Sequence, residues 1–211
     1  MDGSPAPYGP EAFARDTGAS PGAMADLERF RAMVEETNAV MNLVGPQTLP
    51  QFWSRHALDS AQLLKFEPEA LTWADLGAGA GFPGVVLAIL LKGREGAWVH
   101  LVDSLTKRCR FLSSVVQALD LPAEVHDARA EDLKLKVEVV TARACAPMTR
   151  LFGYAQPYFK LGAKGLFLKG ESVDSELQEA RKSWTFEADL APSLSDPRGR
   201  VVRIRRLQRA R

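Results

Sequence analysis

The stretch WADLGAGAGFPG, residues 73 to 84, decides the fold class because one aspartate is followed at once by four closely spaced glycines. The residues TWADL have the composition of a short buried strand, and Pro83 suits the first turn of a helix. A turn without β-carbons after a strand lets a ligand approach the backbone closely. The stretch therefore predicts a nucleotide-binding turn between the first strand of a sheet and a helix.

Two interpretations of this turn differ in the charge that they expect. Gly79, Gly81 and Gly84 fit G-x-G-x-x-G, which is typical of dinucleotide sites, whereas Asp75, Gly77, Gly79 and Gly81 fit D-x-G-x-G-x-G, which is typical of S-adenosylmethionine sites. A carboxylate beside a pyrophosphate is repulsive, but it attracts the sulfonium and ammonium groups of S-adenosylmethionine. Asp75 therefore favours the methyl donor, and a nicotinamide-dependent oxidoreductase stays as the alternative.

From Thr72 onward, short apolar runs alternate with helical segments. This order predicts an α/β protein of the Rossmann-like, doubly wound kind with a mostly parallel sheet. The last two runs are separated by a loop too short for a helix, so they are expected to form an antiparallel hairpin at the sheet edge, which reverses one strand. The seven predicted strands are 72–76, 97–103, 123–128, 137–143, 165–170, 184–190 and 201–206.

The chain divides into three predicted parts. Residues 1–22 are rich in Pro, Gly, Ala and Ser and are predicted to form a mobile leader. Residues 23–68 are predicted to form a helical N-terminal extension, since apolar residues recur from Leu27 to Val34 at helical spacing. Residues 69–211 are predicted to form the main α/β domain with a basic C-terminal end.

Cysteine usage and hydropathy bear on the compartment. Cys109 and Cys145 follow no metal or redox spacing, and the sequence carries no apolar signal segment and no long apolar run. We therefore expect a reduced, cytoplasmic protein with no bound metal, no membrane association and no obligate protein partner.

The small net charge of +1 conceals an uneven distribution. Seven arginines and no acid lie between Arg198 and Arg211, so the rest of the chain holds 20 basic and 26 acidic residues and a net charge of −6. Such a cluster suits the phosphates of a nucleic acid, although a solvated final strand would show the same composition.

Further candidate site residues follow the predicted strands. Because the carboxyl ends of parallel strands meet at one edge of the sheet, these residues are expected to lie near the glycine turn. Asp103 ends the second strand, where an acid accepts hydrogen bonds from ribose hydroxyls. Arg143 lies at the end of the fourth strand and suits a donor carboxylate or an RNA phosphate. The other candidates are Ala130 and Glu131 after the third strand, Lys169 at the end of the fifth, and His56, which lines a substrate entrance or is a satisfied helical histidine.

No catalytic residue is predicted. Methyl transfer from a sulfonium is an in-line displacement, so holding the two reactants in line supplies most of the effect. An acceptor nitrogen with a free lone pair needs no base. Cys145 has no neighbouring histidine or acid in sequence and is not favoured as a nucleophile.

Seven separated blocks together resemble one known family. MNLVG, RHALDS, DLGAGAGFPG, LVDSLTKRCRFL, RAED, TARACAP and LKG occur in the order and spacing of the RsmG family, also called glucose-inhibited division protein B. The resemblance spans about residues 27–184. It implies a class I methyltransferase fold with an N-terminal helical extension, S-adenosylmethionine as donor, and N7 of a guanine in 16S ribosomal RNA, naked or in the small subunit, as acceptor.

The resemblance also implies site residues. The donor site would comprise Gly77, Phe82, Asp103, Ser104, Ala130, Glu131 and Arg143. An RNA substrate would give the basic end a role in phosphate binding, assigned to Arg198, Arg200, Arg203, Arg205 and Arg206. MNLVG departs from the family's more polar continuation, which leaves a substrate-side role of Asn42 open. A methyltransferase with another acceptor and an RNA-binding module without catalysis are the further alternatives.

Overall fold

The structure, a computed structural model, describes residues 8–210, which begin with two helices. Helix α1 spans Pro10–Thr17 and α2 spans Pro21–Met41. Helix α2 begins where the Ser20 side chain accepts a hydrogen bond from the Ala23 N–H at 3.2 Å, and it ends at Asn42 in a left-handed conformation. The predicted mobile leader is therefore wrong for residues 10–22, and residues 1–7 lie outside the described part.

Helix α1 was not predicted from the sequence because a single side chain, Phe13, anchors it to the core. Phe13 is fully buried and packs on Trp53 with ring centroids 5.3 Å apart. One aromatic anchor gives no repeating apolar pattern, so the Pro- and Gly-rich composition was misleading.

An irregular helical segment joins α2 to the sheet, within the predicted helical extension. It changes from a 3-10 turn (Pro46–Gln51) to a π-helical turn (Phe52–Leu58), the short α3 (Asp59–Ala61) and a second 3-10 turn (Gln62–Lys65). Its buried side chains include Phe52 and Leu63. The segment carries Arg55, His56 and Asp59 to the wall of the main cavity.

The sheet among the described residues has seven strands in the order β3-β2-β1-β4-β5-β7-β6, which confirms the predicted fold class. Only β7 is reversed, because it pairs antiparallel with both β5 and β6. Strand order reverses direction between β1 and β4, which is the switch point where ligands bind in such sheets. The strands are β1 Thr72–Leu76, β2 Trp98–Asp103, β3 Ala123–Asp127, β4 Val139–Arg143, β5 Lys164–Lys169, β6 Trp184–Pro192 and β7 Arg200–Arg209.

Helices cover both faces of the sheet and enclose two apolar cores. On one face, α4 (Gly84–Leu91) and α5 (Thr106–Leu119) pack with α2 and the irregular segment. On the other face lie α6 (Met148–Lys160) and α7 (Val173–Ala180). Within residues 8–210, we find no helix that combines the length and hydrophobicity needed to cross a membrane.

Candidate active site

A cavity of about 780 Å³ lies at the carboxyl edge of the parallel strands. It is bounded by the glycine turn, the ends of β2, β4 and β5, the irregular helical segment and the hairpin loop between β6 and β7. The predicted site residues that line it are Gly77, Gly79, Phe82, Asp103, Ser104, Ala130, Glu131, Arg143, His56, Lys169 and Arg200. Those that lie outside its lining are Asp75, Gly81, Asn42, Arg198, Arg203 and Arg205.

The glycine turn is closed over the end of β2. Gly77 and Ala78 both donate their N–H groups to the Val102 carbonyl, at 2.8 and 2.9 Å. Gly77 has φ +73°, and a β-carbon there would lie 2.6 Å from the Cys145 sulfur. The position therefore requires glycine for its conformation and for the close approach of the loop after β4.

Asp103 connects the turn to the cavity floor. Its carboxylate is almost fully buried and accepts the N–H of Gly79 at 2.9 Å on one oxygen and that of Leu105 at 2.8 Å on the other. A carboxylate offers about four acceptor sites, so both oxygens keep capacity for ribose hydroxyls. The placement supports the role predicted for Asp103.

Asp75 lies beneath the turn rather than in the cavity, which corrects the prediction that it faces the donor. It is fully buried, and its Oδ2 accepts the Gly84 N–H at 2.8 Å. A β-carbon at Gly84 would lie 2.7 Å from this oxygen, so the third glycine of the dinucleotide pattern serves packing here. Gly81 is also required for close packing, since a β-carbon there would lie 2.6 Å from Val85 and 3.0 Å from Phe30.

Burial makes Asp75 a titrating group near neutral pH. Desolvation raises its pKa from 3.8 to about 7, and its Oδ1 has no hydrogen-bond partner within residues 8–210. Because the pKa of Asp75 is higher in the folded state than in the unfolded state, its protonation stabilises the fold. This stabilisation is fully present below the unfolded-state pKa and is lost as the pH rises through about 7.

We expect Asp75→Asn to remove this pH dependence. Between pH 5 and pH 8 the free energy of unfolding of the wild type should fall by about 3 kcal/mol relative to the variant. Urea unfolding at the two pH values measures the difference, with Asp127→Asn as the exposed-carboxylate control. Equal pH dependence in wild type and Asp75→Asn would contradict the raised pKa.

Arg143, at the end of β4, is the centre of a polar cluster that packs beside Phe82 of the glycine turn. One guanidinium nitrogen donates to the Arg55 carbonyl at 2.8 Å, and the other contacts the His56 Nδ1 at 2.9 Å. The first nitrogen also lies 3.5 Å from Asp59, and the guanidinium lies over the Phe82 ring at 4.9 Å from its centroid. Burial lowers the pKa of Arg143, and Asp59 opposes this shift.

His56 has both ring nitrogens engaged. Burial, with the charges of Arg143 and Arg55, lowers its pKa to about 3, so the ring is neutral. Since Nδ1 accepts from Arg143, Nε2 carries the proton and donates to the Thr48 hydroxyl at 2.9 Å. The ring also stacks on Phe82 with centroids 4.6 Å apart. His56 thus lines the cavity as predicted, but as a positioning residue with no free base.

The other reactive groups of the cavity are also occupied. The Lys169 ammonium lies 2.6 Å from a Glu176 oxygen and donates to the Ala146 carbonyl at 2.9 Å. Desolvation raises the pKa of Cys145 to about 11, which keeps it a neutral thiol. Neither side chain offers a nucleophile at neutral pH.

Sequence reasoning missed the contact that closes the cavity. The Ser195 hydroxyl in the hairpin loop donates to Asp59 at 2.6 Å, and Gln62 bonds to both Ser193 and the Leu194 N–H. These contacts join the irregular helical segment to a loop more than 130 residues away. The only sequence signal was the polar composition of the loop itself.

The predicted arginine cluster is dispersed. On β7, Arg205 and Arg206 pair with Asp189 and Glu187 of the neighbouring β6. The remaining candidates also have polar partners: Arg203 lies 3.8 Å from Glu67, Arg198 lies 3.5 Å from Asp196, and Arg200 donates to the carbonyls of Pro197 and Gly199. Of these, Arg200 alone reaches the cavity. Arg211 lies outside the described residues.

Asn42 lies outside the cavity lining, so its contacts do not support the substrate-side role left open above. It ends α2 with φ +48° and is exposed. The cavity is lined instead by the next three residues, 43–45, which are positioned by the Asn38 side chain accepting the Val44 N–H at 2.8 Å.

The sheet order, with a glycine turn and an acid at its carboxyl edge, defines the class I methyltransferase fold. The structure is similar to a SAM-dependent methyltransferase from Aquifex aeolicus, with TM-score 0.56 and 15% identity over 82% of this chain and 97% of that chain. It is also similar to magnesium protoporphyrin IX methyltransferase from Synechocystis PCC 6803 with bound SAH, with TM-score 0.54 and 12% identity over 77% and 88% of the two chains. At these identities the likeness concerns the fold alone.

Sequence comparison then gives the family. Residues 23–197 match the GidB family, described as rRNA small subunit methyltransferase G. Ribosomal RNA small subunit methyltransferase G of Caulobacter vibrioides strain NA1000 is 65% identical over 92% of this chain and 90% of its own length. The protein of that name from Parvibaculum lavamentivorans is 44% identical over 98% of this chain and 93% of its own. The chain belongs to the rRNA small subunit methyltransferase G family.

Membership confirms the predicted family, enzyme class and cofactor. The protein is an S-adenosylmethionine-dependent methyltransferase, so the nicotinamide alternative and the non-catalytic alternative are wrong. The cavity fits this donor, since a buried carboxylate with free acceptor capacity lies beside a glycine turn that lines the cavity.

Proposed function

We propose that the protein transfers a methyl group from S-adenosylmethionine to N7 of a guanine in 16S ribosomal RNA, in the cytoplasm. The substrate class follows from the names of the relatives, which are ribosomal RNA small subunit methyltransferases. The observation that supports N7 is the chemistry of the cavity wall, where His56, Cys145 and Lys169 are all occupied or neutral.

A ring nitrogen with a free lone pair is the acceptor that this wall suits. The N7 lone pair forms the new N–C bond as the C–S bond breaks, S-adenosylhomocysteine leaves, and the base becomes cationic without losing a proton. S-adenosylmethionine supplies the electrophilic methyl group when it is bound. The chain has only to hold the two reactants in line and exclude water.

The part of the cavity wall that the Arg143 cluster forms is the proposed base site. Asp59, Arg143 and the hairpin loop enclose it, so a guanine must leave its stack to enter. Contacts between these elements hold the wall in place before RNA arrives.

The test uses labelled S-adenosylmethionine with naked 16S ribosomal RNA or intact small subunits, followed by mapping of N7-methylguanine. Label at N7 of one guanine supports the proposal, and the responsive substrate shows which form is used. RNA carrying 7-deazaguanine at that position should lose the label, because it lacks the acceptor nitrogen. Label at another atom would overturn the N7 assignment, and no label despite donor binding would overturn the RNA acceptor.

The cavity rim, rather than the part of β7 that carries Arg205 and Arg206, should supply phosphate contacts. Arg55 and Arg200 both line the cavity, and Arg55 is exposed. We expect the double variant Arg55→Gln/Arg200→Gln to bind RNA about tenfold more weakly and to lower the salt-dependence slope by about 1 to 2, with donor affinity unchanged. Fluorescence anisotropy over a range of salt concentrations measures both quantities.

The matched control is Arg205→Gln/Arg206→Gln, which removes the same charge from the part of β7 outside the cavity lining. These two side chains already pair with Asp189 and Glu187, so their loss should have the smaller effect on RNA binding. The opposite order of effects would place the RNA along the strand instead.

A further inference from the structure

A second cluster of ligand-type side chains lies on β2 and β3, apart from the cavity lining. His100 on β2 is in register with Glu124 on β3, and His126 follows two residues later opposite Val102. Side chains two apart on a strand share a face, so all three lie on the face where Val102 packs, away from α5. Glu124 and His126 follow His100 by 24 and 26 residues in sequence, so no local motif predicted a metal.

The geometry of the three donor atoms fits one ion. His100 Nδ1 and His126 Nε2 are 2.9 Å apart, and a Glu124 oxygen lies 3.7 Å from the first and 3.6 Å from the second. An ion bound tetrahedrally at 2.0–2.1 Å separates its ligands by about 3.3 Å, a value that these distances bracket. In the plane of the three donor atoms, the point at equal distance from all of them is about 2.0 Å from each. An ion at or slightly above this point would therefore lie at a zinc-to-ligand distance from all three.

The chemistry of the ligands fits as well. Both histidine side chains are only 15% exposed, and one ring nitrogen of each lies within 3.7 Å of a Glu124 carboxylate oxygen. Glu124 is 55% exposed, so a fourth position is open to water from its side. Two imidazoles and one carboxylate suit Zn²⁺ and the neighbouring late transition metals rather than Mg²⁺ or Ca²⁺.

We propose that His100, Glu124 and His126 form a binding site for one divalent transition-metal ion of the zinc type. Its role is to join the edge strand β3 to β2. The chain that leaves β3 supplies Ala128, Ala130 and Glu131 to the donor cavity, and the Ala128 N–H donates to the Asp103 carbonyl at 3.1 Å. An ion at this place stabilises one wall of the donor cavity from behind, without entering it.

The test titrates ZnCl₂ into untagged, chelator-treated protein by calorimetry, and CoCl₂ by visible absorption. We expect one ion per chain and, at about 100 times the Kd, a rise in Tm of about 5 to 10 °C. His126→Gln should abolish both effects. Glu124→Gln, which changes an exposed side chain, should weaken binding at least tenfold without altering the Tm of the metal-free protein.

The chain contains three histidines, so His56→Gln is the matched control and should bind the ion like the wild type. Unchanged affinity in both His126→Gln and Glu124→Gln would overturn the proposal, as would the absence of binding to the wild type. An intense thiolate-to-cobalt band would instead place the ion on a cysteine and would also overturn it.

Discussion

Asp103→Ala should weaken the binding of S-adenosylmethionine by about 5- to 150-fold. The substitution removes the expected acceptor of the ribose hydroxyls and leaves the Gly79 and Leu105 N–H groups without the carboxylate that they bond to. A lost acceptor of this kind costs about 1 to 3 kcal/mol, and each 1.4 kcal/mol is tenfold in affinity. Calorimetric titration with S-adenosylmethionine and S-adenosylhomocysteine measures the change, and both ligands should be affected because both contain the ribose.

The control for this prediction is its neighbour in the sheet. Asp127 is in register with Asp103 at the end of β3, but it is exposed and lies outside the cavity lining. Asp127→Ala should therefore leave the Kd within twofold of the wild type. Asp103→Asn keeps one acceptor oxygen and should fall between the two. Wild-type affinity in Asp103→Ala, with an unchanged Tm, would place the ribose elsewhere in the cavity.

Strand patterning made most of the fold predictable. Each of the seven apolar runs forms a strand, and the short loop before Arg200 forces the last two into an antiparallel pair. The N-terminal part was predicted less well, since α1 depends on the single ring of Phe13 and the segment after Pro46 changes helix type three times. Such local changes follow from tertiary packing and leave no period in the sequence.

Register explains the two different outcomes for the acids at the strand ends. Asp103 is the last residue of β2 and reaches the edge where ligands bind. Asp75 is in register with Leu101, two residues below that edge, so its side chain is covered by Gly84 at the start of α4. The sequence places both acids near the ends of strands, but it does not show how far each strand extends relative to its neighbour.

Pairings over long sequence distances account for the remaining differences. Asp59 meets Ser195, and Arg143 meets His56, through contacts that span 136 and 87 residues. The partners of Arg205 and Arg206 depend on the register of β7 against β6, which includes a shift between Thr185 and Glu187. Arg205 and Arg206 of the basic stretch therefore form ion pairs within the sheet. RNA contacts are expected at the cavity rim instead.

Arg143→Gln should lower kcat/KM by about 100- to 1000-fold. The wild-type guanidinium serves the Arg55 carbonyl, the His56 ring and Asp59 at once, from a position only 19% exposed. Its loss leaves the partly buried Asp59 carboxylate and the His56 ring without this partner, so the wall no longer holds the reactants in line, and a misplacement of about 1 Å costs about 100-fold in rate. Arg143→Lys should recover part of the activity, since an ammonium keeps the charge but cannot reproduce the planar fork. Steady-state kinetics with 16S ribosomal RNA measures both variants.

The pKa of His56 distinguishes loss of this contact from a general loss of stability. The Arg143 charge is the second cause, after burial, that holds this pKa at about 3. Arg143→Gln should therefore raise it, while burial still keeps it below 6.5, and Arg150→Gln on the exposed side of α6 should leave it unchanged. Histidine NMR titration measures the shift. A lower rate with an unmoved His56 pKa would mean that Arg143 acts on the reactants without the His56 contact, and the cluster on the cavity wall would have to be reassigned.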